Sequence, residues 1–79
     1  MELIKEFNRL YPNGNIVSQR IMTEETGVEV FKATVIPDLA KPERYFSAYA
    51  KVREEDIANA LDIAQDKAIE SALRLVLTK

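Results

Sequence analysis

The sequence predicts one α+β domain in the order α-β-β-β-α: a three-stranded antiparallel sheet packed on one face by a long C-terminal helix and a short N-terminal helix. Three observations predict it. Apolar residues recur at helical spacing over residues 2–10 and again over 54–77. Between them, 28–36 is rich in β-branched and aromatic residues, and 44–52 alternates between two different faces. The two glycines and three prolines all fall between these segments, where turns belong.

The first helix, residues 2–10, carries Leu3, Ile4, Phe7 and Leu10 on one stripe, continued by Tyr11. Pro12-Asn13-Gly14-Asn15 ends it, with Asn-Gly expected to take the positive φ of a tight turn. A first strand is expected over 15–23, where Val17, Ile21 and Met22 are apolar. Glu24-Glu25-Thr26-Gly27 then reads as a hairpin turn, with Gly27 at positive φ. In the second strand, 28–36, Phe31, Ala33 and Val35 share one face; Val28, Val30, Lys32 and Thr34 share the other.

Pro37 and Pro42 bracket a loop at 37–43, a candidate contact loop because it exceeds a minimal hairpin connection. The third strand, 44–52, points Phe46, Ala48, Ala50 and Val52 one way, and Tyr45, Ser47, Tyr49, Lys51 and Arg53 the other. The long helix, 54–77, places Ile57, Leu61, Ala64, Ala68, Ala72 and Leu75 on one face, widened by Ile69, Leu73 and Val76. Its first turn is acidic, Glu54-Glu55-Asp56, and Arg74 and Lys79 stand near its end, as the helix dipole favours. Residues 78–79 are expected to fray.

A chain of 79 residues makes a single domain, 1–79. At this size only roughly 60% of the unfolded surface is buried. With no cysteine to staple it, the fold must pack closely or gain stability by self-association. The net charge of −2 argues against strong charge-driven binding of duplex DNA, yet leaves room for a local basic strip. Met1 to Glu6 is too charged for an apolar targeting core, and no apolar run approaches the ~20 residues that span a bilayer. The expectation is a cytoplasmic protein without membrane contact.

Little in the chain supports catalysis. Histidine and cysteine are absent, which removes common general bases, nucleophiles and transition-metal ligands. The acidic groups Glu24/Glu25 and Glu54/Glu55/Asp56 sit where a turn and a helix start explain them. No Gly-rich phosphate loop is present. The expectation is a non-enzyme with no cofactor and no metal.

The outward face of the third strand has a different character. Tyr45, Tyr49, Lys51 and Arg53 alternate aromatic with basic, and Lys32 belongs on the adjoining strand. Such a strip stacks bases and holds phosphates in single-strand binders. A solvated sheet face, or a face covered by a partner subunit, accounts for the same residues. On the long helix, Asp62, Asp66 and Glu70 form an acidic stripe at i, i+4, i+8, and Glu70 precedes Arg74 by four. That side is expected to face away from nucleic acid.

The element order resembles the double-stranded RNA-binding domain, and Ala64 through Leu73 is similar to that domain's closing helix. That family grips phosphates with lysines at the start of the helix; Arg53-Glu54-Glu55-Asp56 stands there instead and would repel them. A second resemblance spans most of the chain. Tyr11-Pro12-Asn13-Gly14-Asn15-Ile16, Val30 to Val35, Tyr45 to Ala50 and Ala60 to Leu73 together resemble phage single-strand annealing proteins of the essential-recombination-function type. Glu70 and Ser71 stand where that family's helix carries glycine and arginine. The resemblance implies an oligomer that binds and pairs single-stranded DNA without hydrolysing nucleotides.

Two expectations follow. The first is a phage-type recombination accessory that contacts single-stranded DNA weakly within a homo-oligomer, through Lys32, Tyr45, Tyr49, Lys51 and Arg53. The second is a small protein-interaction module, an inhibitor or assembly factor, whose acidic surface suits a basic protein partner.

Overall fold

The computed structural model describes residues 2–25, 27–53 and 57–77. Its elements are α1 (Glu2–Leu10), β1 (Asn15–Ile21), β2 (Val28–Ile36), β3 (Phe46–Arg53) and α2 (Ile57–Leu77). This is the expected α+β arrangement. The sheet is antiparallel in the order β1-β2-β3, and both helices pack on one face of it.

The register assigns each residue to a face. Ile16 pairs with Val35, Ser18 with Ala33 and Arg20 with Phe31 across β1 and β2. Val35 pairs with Phe46, Ala33 with Ala48, and Phe31 with Ala50 across β2 and β3. These pairs point toward the helices, because directly opposed residues of an antiparallel pair share a face. The other face holds Val17, Gln19 and Ile21 on β1, Val30, Lys32 and Thr34 on β2, and Ser47, Tyr49 and Lys51 on β3.

The core joins Phe7, Phe31, Ala33, Val35 and Val52 to Ala60, Ala64, Ala68, Ala72, Leu73 and Val76 of α2. The four helix alanines have no exposed surface. Their small side chains let the helix backbone lie close to a sheet that also presents Ala33, Ala48 and Ala50. α2 lies over β2 and β3 and touches β1 much less. Gln65 donates to Ser18 Oγ at 2.7 Å and ties the helix to that strand.

The structure corrects several expectations. Leu75 is 48% exposed rather than buried. The buried positions 60, 64, 68, 72 and 76 step by four, and each step advances about 40° around the helix axis. The buried stripe therefore winds around α2 as the helix crosses the twisted sheet, and in the last turn Leu75 is left outside it. Leu10 is likewise exposed, and the first helix is anchored by Phe7. β1 ends at Ile21, so Met22 projects into solvent. β3 starts at Phe46 and runs through Arg53, which leaves Tyr45 outside the strand. Positions 54–56, including the acidic first turn, and 78–79 lie outside the described residues.

The two glycines serve different ends. Gly27 has φ 77°, as the hairpin turn requires. Gly14 does not take the expected positive φ. It is needed for space: a Cβ there would lie 2.6 Å from Phe7 Cζ and 3.0 Å from the Ile36 carbonyl oxygen.

Candidate functional site

The helix-free face of the sheet gathers four of the five residues singled out from sequence. Lys32 stands directly opposite Tyr49 in the β2–β3 ladder. Its ammonium lies 5.7 Å from the centre of the Tyr49 ring, a cation–π contact. Tyr49 keeps 63% of its surface exposed, since neither α1 nor α2 covers this side. Two residues further along β3, Lys51 leaves the same face, and Arg53 follows at the strand end, paired with Val28. Thr34 and Ser47, one pair in the other direction, share a hydrogen bond at 3.1 Å between their hydroxyl oxygens.

The β1–β2 turn folds over one end of this face. Val28 has the outward parity of Val30 and Lys32, yet it is buried and stands apart from the main core. The adjoining turn delivers Glu25. Its Oε2 accepts a hydrogen bond from Arg53 at 2.8 Å, and its Oε1 lies 3.7 Å from Lys51 Nζ. Two of the expected site cations are thus already paired with a carboxylate from the β1–β2 turn. No local pattern could reveal this contact, because Glu25 and Arg53 lie 28 positions apart.

Tyr45 goes elsewhere. It is 58% exposed and lines a cavity of about 670 Å³ between the β2–β3 loop, the end of α1 and the last turn of α2. Tyr11, Pro37, Phe46 and Val76 supply the apolar wall, and Lys41, Arg44, Asp38 and Glu43 supply charges of both signs. Charge alone therefore selects no ligand for this cavity. The loop expected at 37–43 borders it and is held in place by Asp38. The Asp38 carboxylate accepts from the Ala40 amide at 3.0 Å and from Asn13 Nδ2 at 2.7 Å. The Leu39 amide donates to the Asn13 carbonyl at 2.9 Å, completing a latch between the α1–β1 and β2–β3 connections. The Ala40 amide first, then Asn13, then the nearby Lys41 ammonium hold the Asp38 carboxyl below its ordinary value of 3.8.

No family model, curated protein or solved structure matches this chain.

Acidic side chains mark the outer side of α2, with Lys67 exposed among them. Asp62 and Asp66 are exposed on the side of α2 away from the sheet. Glu70 follows on the same stripe and accepts from Arg74 at 2.7 Å, the expected i, i+4 pair. Lys32, Lys51 and Arg53 stand on the opposite side of the molecule. Among the described residues no cluster of acidic side chains could hold a metal ion, and no helix is long and apolar enough to cross a membrane. Sequence reasoning also missed a buried carboxylate. Glu29, 6% exposed, faces the helix side and is gripped by Arg20 through two hydrogen bonds of 2.9 Å.

Proposed function

We propose that this chain is a non-catalytic binding module that contacts single-stranded DNA through its open sheet face, weakly and as part of a homo-oligomer. The carrying observation is the cation-backed Tyr49: an exposed ring on an uncovered sheet, with Lys32 against it and Lys51 two residues along. An exposed ring stacks on any base, and flanking cations hold the phosphates. The acidic side of α2 lies on the far surface, where it repels the strand least. The resemblance of the chain's segments to phage single-strand annealing proteins supports a role as an accessory in recombination. The weakness follows from the net charge of −2 and the small number of cations on the face.

The test is fluorescence anisotropy of a labelled oligo(dT) at low salt, with circular dichroism to establish folding. Tyr49→Ala should weaken binding about 5-fold or more, as loss of one base-stacking ring does. Lys32→Glu should weaken it as well. Unchanged affinity in both folded variants removes this face from consideration.

A second reading is favoured by a different part of the same face. Ile21 and Val30 pair half-buried at the turn end of this face, and Val17 stands exposed on β1 beyond the Gln19–Lys32 pair. Apolar side chains set among polar ones suit a protein partner. Passage of the wild type through single-stranded DNA resin at low salt, without retention, selects this reading over the first.

A further inference from the structure

The Lys51 and Arg53 side chains converge on one point, and the Glu25 carboxylate occupies it. Residues two apart on a strand leave the same face, so β3 presents both cations together. Glu25 reaches them from the β1–β2 turn, placing one oxygen 2.8 Å from the Arg53 guanidinium and the other 3.7 Å from the Lys51 ammonium. A carboxylate shared by two cations takes the position and charge that a phosphate diester would take.

We propose that Lys51 and Arg53 form a phosphate subsite for single-stranded DNA, and that Glu25 fills it in the free protein and is displaced when a strand binds. This rests on the single-strand reading above and adds a specific competitor to it.

Displacement is feasible because the ion pairs of Glu25 are open to solvent. The side chains of Glu25, Lys51 and Arg53 are all more than half exposed, and exposed ion pairs are weak. Within the turn the Glu25 amide donates to Thr23 Oγ1 at 3.3 Å, a long hydrogen bond. A cavity of about 230 Å³ lined by Arg20, Met22, Glu25 and Gly27 leaves space around it. A strand that enters brings more than one phosphate: it also stacks on Tyr49 and meets Lys32, contacts that Glu25 cannot supply. Each binding event then exchanges an internal anion for an external one. The cost of that exchange lowers affinity and flattens its salt dependence.

Glu25→Gln keeps the shape and removes the charge. Oligo(dT) affinity measured over a salt series should rise about 2- to 5-fold at low salt. The slope of log affinity against log salt should steepen by about 0.7, the counterion release of one more single-strand phosphate. Adding Lys51→Gln and Arg53→Gln to the Glu25→Gln protein should abolish both gains. If Glu25→Gln binds like the wild type while Tyr49→Ala still weakens binding, the competition is refuted and the single-strand reading stands. If neither the wild type nor Glu25→Gln binds the oligonucleotide, both fail.

Discussion

The ring of Phe7 lies so close to Gly14 that the backbone there admits no side chain. A Cβ at position 14 would stand 2.6 Å and 2.9 Å from two carbons of a ring that is itself fully buried. Tyr11, one turn along the chain, packs against Phe7 with ring centres 5.3 Å apart and tilted by 34°, which restricts the ring further. This contact seats α1 against the connection that leads into β1.

Gly14→Ala should therefore destabilise the domain by overpacking, by about 1–3 kcal/mol. Thermal unfolding followed by circular dichroism should show a fall of roughly 4–8 °C per kcal/mol in a domain of this size. An unchanged melting temperature would mean that the α1 packing yields more easily than the buried ring suggests.

Arg20 and Glu29 lie diagonally across β1 and β2 on the helix side of the sheet, with Glu29 buried and Arg20 half exposed. Arg20→Met leaves the Glu29 carboxylate buried without its counter-ion. The cost should be about 1–2 kcal/mol, less than for a fully buried pair because water still reaches Arg20. Glu29→Gln in the same protein should recover part of it, because the uncompensated charge is gone. A urea denaturation cycle over the four proteins measures the coupling, and additive effects would refute it.

The Asp38 latch should make stability depend on acid. Its folded value is depressed, so its contribution is present above 3.8 and is lost as pH falls through the lower folded value. Between pH 5 and pH 2 the wild type should lose more stability than Asp38→Ala, which has no carboxyl to titrate. Melting curves in parallel at the two pH values decide it; equal losses would show that the latch adds nothing.

Much of the architecture was legible in the chain. β2 and α1 fall on their expected boundaries, because the β-branched run from Val28 and the apolar stripe ended by Pro12 are both local signals. The strand ends were less legible. Tyr45 fits the alternation of β3 but lies just before Phe46, where pairing begins opposite Val35. β2 itself continues to Ile36, but there it pairs only with Asn15 of β1, a choice the alternation of the third strand does not encode.

Side-chain periodicity was enough to determine the order of elements, the inward set Phe46, Ala48, Ala50 and Val52, and the outward placement of Tyr49, Lys51 and Lys32, because period two and period 3.6 follow from backbone geometry alone. Tertiary structure decided the rest: the winding of the α2 stripe past Leu75, the burial of Glu29 under Arg20, and the arrival of Glu25 between Lys51 and Arg53. Each of these joins residues that are distant in the chain or depends on the twist of a sheet, and neither leaves a mark on local sequence.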